Sequence, residues 1–197
     1  GVYSNKIIRD SIQLKDQYVF LKKELKKIKE INTHFSVQVN DQISYEIGTF
    51  EAGNTNQYSH FILWNKTNSL QQREVEIIFE NTGIDDSLDE INKAREKWLN
   101  LCNAHDHTKL VKTMYTSDAL YYNRGRLLTG TEEITEEYQY MSRQNYSLKL
   151  SPLHVHPVDS NHVFEIGQCS GSYNNPYMII WQKNPSGIWQ VAFDSNN

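Results

Sequence analysis

The clearest pattern along the chain begins at Leu88. Leu88, Ile91, Ala94, Trp98, Leu101 and Cys102 recur at helical spacing and predict one apolar stripe. Ser87 with Glu90 forms a capping box at its start. Asn103-Ala104-His105-Asp106 breaks the pattern, and Asp106 caps a second short helix carrying Leu110, Val111 and Met114. A strand from Ala119 to Asn123 and a turn at Gly125 follow. Gly130-Thr131 then opens a third helix, with Glu132 and Glu133 in its first turn and Ile134, Tyr138 and Met141 on its apolar face. Beyond it the period changes from helical to alternating. Leu148–Val155, His162–Tyr173, Tyr177–Lys183 and Ile188–Asp194 read as strands, separated by Pro-, Asn- and Gly-containing turns.

The first eighty residues repeat part of this order. Tyr45-Glu46-Ile47-Gly48 matches Phe164-Glu165-Ile166-Gly167 at an offset of 119 residues, and Trp64-Asn65-Lys66 matches Trp181-Gln182-Lys183 at 117. Val2-Tyr3-Ser4-Asn5 falls near Tyr121-Tyr122-Asn123-Arg124, and Leu14, Tyr18, Leu21, Leu25 and Ile28 predict a helix between. A repeat of this length points to structural duplication. The domains expected are 1–80, a linker at 81–86, and 87–197. The counterpart of the Ser87–Asp118 helical hairpin is missing from the first domain. An upstream segment or another chain, as in a homo-oligomer, is therefore expected to cover its apolar face.

Composition narrows the function classes. The chain has 197 residues and a net charge of −4, with pI near 6.0, so it carries no basic footprint for nucleic acid. No apolar run approaches the length of a membrane span. The N-terminus lacks a signal-peptide pattern, which leaves the compartment open. The two cysteines, Cys102 and Cys169, match no metal or redox spacing and read as buried free thiols. Aromatic content is high, at 12%.

The helical hairpin, Tyr115-Thr116-Ser117-Asp118-Ala119, the Gly130-Thr131-Glu132-Glu133-Ile134 helix and four aromatic strands resemble the nuclear transport factor 2-like superfamily. That group includes ketosteroid isomerase, scytalone dehydratase and SnoaL-type cyclases. The resemblance covers Ser87 to Asp194 and, in part, Val2 to Phe79. It implies an α+β fold: a cone-shaped, strongly bent antiparallel sheet packed on helices, in two tandem copies, each with a pocket at its wide end. In ketosteroid isomerase an Asp base works with an oxyanion hole of Tyr and protonated Asp. Matched residue by residue, those positions fall on Asn123, Trp98 and Ile179, so that chemistry is not expected.

Other polar candidates have a structural reading beside a functional one. His154 and His156 share a strand face, either a solvated surface or an acid–base or metal-binding pair. His105-Asp106-His107 is a ligand-like cluster or simply a capped helix turn. Glu165 and its partner Glu46 lie mid-strand. A buried carboxylate there would be a general acid or base, while repetition in both halves favours an outer-face, salt-bridged role. Tyr121, Asn123, Tyr177 and Trp181 share the interior phase and, with Trp98, line an aromatic pocket or fill the cone. The lysines from Lys22 to Lys29 read as a solvated helix face, and Asn65-Lys66-Thr67 and Asn145-Tyr146-Ser147 as chance glycosylation matches.

Two functions stay open. One is a non-catalytic module that binds a small apolar or aromatic ligand, or assembles, with Trp98, Tyr121, Asn123, His154, His156, Tyr177 and Trp181 around its pocket. The other is a lyase, isomerase or cyclase using His154, His156 or Glu165. No cofactor or metal is expected in either.

Overall fold

The computed structural model describes residues 2–3, 6–7, 19, 28–52, 56–67, 70–83 and 88–196. The chain divides into two compact units, Gly1–Gly83 and Ile84–Asn197. Both contain a six-stranded sheet, and the fold is α+β.

In the second unit, helix α1 (Leu88–Asn103) buries Ile91, Ala94, Arg95, Trp98 and Cys102. Leu88 was expected in this stripe, but at the helix start it has no turn before it to pack on and stays 46% exposed. Ser87 lies outside the described residues. The Glu90 carboxylate turns to the sheet, accepting from Trp189 Nε1 (2.7 Å) and pairing with Lys183 Nζ (2.8 Å). Helix α2 (His107–Met114) is capped as expected: Lys109 N–H donates to Asp106 Oδ1 at 2.9 Å. Helix α3 (Gly130–Glu137) passes into a 3₁₀ turn (Tyr138–Ser142), which carries Tyr138 and Met141 into the core. Tyr138 buries its ring although the α-helix has already ended.

The strands are β7 (Tyr115–Asn123), β8 (Arg126–Thr129), β9 (Leu148–Pro157), β10 (His162–Gly171), β11 (Pro176–Lys183) and β12 (Trp189–Ser195). Their order is β8-β7-β12-β11-β10-β9, antiparallel except where β12 meets β7. The short β8 was not expected from the sequence. Arg124 and Gly125, both at positive φ (49° and 78°), make the two-residue hairpin that returns the chain along β7. Register shifts at Ile166/Gly167, Ile180/Trp181 and Val191/Phe193 mark bulges that bend the sheet. The core lies between helices and sheet, where Ile91, Trp98, Leu110, Met114, Ile134 and Tyr138 meet Tyr121, Tyr177, Ile179, Trp181 and Val191. Cys102 and Cys169 are buried and unbridged. Burial pushes the Cys102 thiol up to about 12, so it is inert as a nucleophile.

In the first unit, β1 (Val2–Tyr3), β2 (Lys6–Ile7), β3 (Ile28–Gln38), β4 (Ile43–Ala52), β5 (Asn56–Thr67) and β6 (Leu70–Glu80) stand in the order β2-β1-β6-β5-β4-β3. Here too one pair, β1 with β6, is parallel. Of the helix expected across Leu14–Ile28, only Val19 and Ile28 are described. Val19 is helical, whereas Ile28 opens strand β3, because its backbone pairs with Ala52. Leu14, Tyr18, Leu21, Leu25 and the lysines Lys22, Lys23, Lys26 and Lys27 lie outside the described residues, as do Ser4, Asn5 and 84–87. Asn81, where the expected linker starts, is tied to its own unit through Gln57 O (2.7 Å) and Ser59 Oγ (3.0 Å).

Candidate functional site

The interior of the second unit contains two polar networks. The first centres on Glu165, which is 0% exposed. Arg95 donates from Nε to Oε1 and from Nη2 to Oε2, each at 2.7 Å. Tyr177 OH adds a bond to Oε1 (2.6 Å) and Trp181 Nε1 one to Oε2 (2.8 Å). Burial works against the Arg95 charge, but its bonds to Glu165 outweigh that and raise its pKa. The outer-face expectation for Glu165 is therefore corrected. Its counter-ion arrives on the buried stripe of α1, where an arginine makes a buried carboxylate tolerable. Tyr177 reaches the carboxylate by lying across Gly167, where a Cβ would sit 2.3 Å from its ring.

The second network centres on Asp194. Tyr115 OH donates to its Oδ2 at 2.7 Å and Tyr138 OH at 2.5 Å. Trp98 Nε1 donates in turn to Tyr115 OH (3.2 Å). Burial raises the Asp194 carboxyl to about 6 against the pull of the two tyrosine bonds. Burial also lifts both phenols well above their ordinary range, so they remain donors. Sequence reading missed this constellation. Simple alternation along β12 sets Asp194 opposite Val191, but the bulge near Ala192 lets both pair with inward-facing residues, Val191 with Trp181 and Asp194 with Ile179.

Beside this network the surface opens into a cleft of about 650 Å³. Tyr121 and Asn123 come from the end of β7, Arg124 from the β7–β8 turn, and Glu137 from α3. Tyr140 comes from the 3₁₀ turn, and Arg143, Asn145 and Tyr146 from the connection to β9. Ser172 and Tyr173 lie on the β10–β11 turn, and Asn196 follows β12. The rim is cross-tied. Ser172 N–H donates to Ser147 O (2.8 Å), and Ser147 N–H to Ser172 Oγ (2.9 Å). Tyr140 and Tyr146 meet edge to face at 5.4 Å. Tyr121 forms the wall against the Asp194 network: its ring contacts Tyr138 at 5.2 Å while its hydroxyl donates to Asn196. Burial raises the pKa of all four cleft tyrosines, so they are neutral donors.

Of the residues expected around a pocket, this cleft brings together Tyr121 and Asn123. Trp98, Tyr177 and Trp181 are core residues with hydrogen bonds to Tyr115 and Glu165. His154 and His156 are half-buried on β9, their rings 6.1 Å apart and near parallel, with His156 also against Phe164. His105 Nδ1 lies 3.1 Å from Met141 O, and Asp106 is the helix cap. No group of three His, Cys, Asp or Glu that could hold a metal occurs among the described residues. No helix among them is long and apolar enough to cross a membrane.

The first unit has a related cluster. Glu46 Oε2 accepts from Trp64 Nε1 (3.0 Å) and Oε1 from Thr33 Oγ1 (3.3 Å). His60 Nε2 stands 3.2 Å from Glu46 Oε1 without hydrogen-bond alignment, and lies across Gly48 as Tyr177 lies across Gly167. Burial lowers the His60 pKa despite Glu46.

No protein-family model matches the sequence, and no curated protein matches it. Among solved structures, the chain is similar to an NTF-2-like protein of unknown function from Shewanella oneidensis (12% identity, 54% of this chain and 95% of that one, TM-score 0.49). It is also similar to a ketosteroid isomerase-like protein from Erwinia carotovora atroseptica (20% identity, 57% and 95%, TM-score 0.44). A domain of unknown function with a cystatin-like fold from Nostoc punctiforme is a third (14% identity, 58% and 78%, TM-score 0.47).

Proposed function

We propose that the chain is a tandem of two nuclear transport factor 2-like modules and that the second is a non-catalytic binder of a small molecule. The tandem reading is supported by identical strand order in both sheets, each with one parallel pair in the same place. It is supported further by Glu-x-Gly paired with a ring and a Trp in both: Glu46, Gly48, His60 and Trp64 in one, Glu165, Gly167, Tyr177 and Trp181 in the other.

One observation carries the binding reading: the interior of the second unit holds a buried aromatic core whose polar groups are bonded to one another, while an aromatic and polar cleft stays open beside it. Its volume suits a small ligand. Glu165 has both oxygens committed to Arg95, Tyr177 and Trp181, which argues against its use as an acid–base group. An isomerase or lyase reading draws support from one feature, the Asp194 carboxyl near 6 with two tyrosine donors. Tyr121 stands between that carboxyl and the cleft, which favours binding over catalysis.

Native mass spectrometry tests the reading. The expected result is an adduct that leaves on denaturation and is missing from a folded Tyr146→Ala variant. An adduct unaffected by Tyr146→Ala would move the ligand elsewhere. A bare mass, with no cleft resonance shifted by an aromatic fragment mixture in NMR, would favour an assembly role.

A further inference from the structure

The cleft chemistry is more specific than its volume. Four of its eleven lining residues are tyrosines, two are arginines and one is a glutamate, and no aliphatic side chain is among them. The glutamate is already engaged. Glu137 accepts from Asn123 Nδ2 (3.3 Å) and from Arg126 Nη1 (3.4 Å), and Arg126 stands outside the lining. The lining therefore carries a net charge of +1 in a chain whose overall charge is −4. Asp194 is not part of the lining: Tyr115 and Tyr138 hold it, and Tyr138 packs on the Tyr121 ring.

The backbone points the same way. Arg124 occupies the left-handed region at φ 49°, the first of the two hairpin positions. Asn, Asp or Gly fits there readily, and a long side chain does so at a cost. A residue kept in a sparsely populated conformation beside a cleft suggests use of its side chain. Arg143 sits on the opposite connection, in the turn where Tyr146 N–H donates to its carbonyl (2.9 Å), so cation and ring are delivered together. A guanidinium matches a carboxylate through two parallel bonds, and tyrosine rings offer flat faces and neutral O–H donors.

We infer that the ligand is a planar aromatic carboxylate of one or two rings, its ring laid against the touching pair Tyr146 and Tyr140 and its carboxylate on Arg143 and Arg124. This rests on the binding reading above. The carboxylate enters as a counter-charge to arginines exposed at the rim, so it need not surrender all its water. The ring excludes water from the tyrosines beneath.

The test compares two naphthalene probes of similar size on the whole chain by NMR titration: 1-naphthoate and the neutral 1-naphthalenemethanol. Naphthoate is expected to bind about tenfold more tightly, the size of one charge-assisted contact. Arg143→Gln should abolish that preference without changing the melting temperature, since Arg143 is exposed. Added salt should weaken naphthoate and leave the alcohol unchanged. Equal binding of the two probes, or a preference that survives in both Arg143→Gln and Arg124→Gln, overturns the anion assignment while the binding reading stands. If neither probe shifts a cleft resonance, both fall together.

Discussion

The same sheet position is handled differently in the two units. Each sheet sets a glutamate two residues before a glycine on one strand, and a ring and a tryptophan on the next. In the second unit the carboxylate is fully buried and meets a fixed cation, Arg95, carried in by α1. In the first unit Glu46 keeps 18% of its side chain exposed, and its ring neighbour is a histidine whose burial disfavours a charge. A buried carboxylate keeps its charge most readily beside a partner that stays ionised. Where the helix supplies one, the glutamate goes inside. Where the ring neighbour is His60, water retains part of it. The position thus behaves as a staple between adjacent strands, with its charge balance set by local supply.

The largest expected effect breaks that comparison directly. Glu165→Ala leaves Arg95 buried and unpaired and should destabilise the second unit by about 3–5 kcal/mol. Glu46→Ala removes a partly hydrated carboxylate and should cost about 1 kcal/mol or less. Urea unfolding of both variants reads the difference. Equal losses would mean that Glu46 depends on a buried partner as strongly as Glu165 does.

Much of the second unit was legible in the chain because its helices and strands differ clearly in period, most plainly in the switch to alternation after α3, and its turns carry strong signals. The Asp106 cap and three helices of the second unit followed from local chemistry. What could not be read was anything depending on a bulge or a distant partner. The Glu165 placement needed Arg95, seventy residues away and nominally a surface residue type. The Asp194 cluster needed the bulge near Ala192, which alternation does not reveal. The cleft is assembled from seven segments, four of them connections between or beyond the regular elements, and only Tyr121 and Asn123, which lie on a strand, were picked out beforehand. Ile28 went to a strand because pairing with β4 overrode a local helical spacing.

A smaller effect sharpens the contrast through pH. Asp194 has a raised pKa, so the folded chain holds its proton over a range where the unfolded chain has lost it. That group makes stability rise as pH falls from above 6 toward 4, by up to about 3 kcal/mol. His60 is lowered, so the folded chain resists protonation, and stability falls as pH drops below about 6.5. The two units therefore carry opposing pH slopes. Unfolding curves between pH 4.5 and 7.5 should show the acid-side gain disappearing in Asp194→Asn and the acid-side loss shrinking in His60→Gln. Parallel curves for both variants and the parent would remove the contrast.

The smallest effect probes the glycines that let a ring cross the sheet. A Cβ on Gly167 would lie 2.3 Å from Tyr177 Cζ and from its hydroxyl oxygen, and the three nearest atoms all belong to that side chain. Overpacking of this kind costs about 1–3 kcal/mol. At Gly48 the Cβ meets His60 Nε2 at 2.3 Å and also the backbone oxygen of Asn32 at 2.6 Å. A side chain can be removed but a strand backbone cannot, so a double-mutant cycle separates the two sites. Gly167→Ala should become nearly neutral in a Tyr177→Ala background. Gly48→Ala should keep much of its cost when His60 is also Ala, because β3 still stands in the way. Full relief at both would show that β3, exposed at the sheet edge, yields to the added methyl, and the units would then differ in charge balance alone.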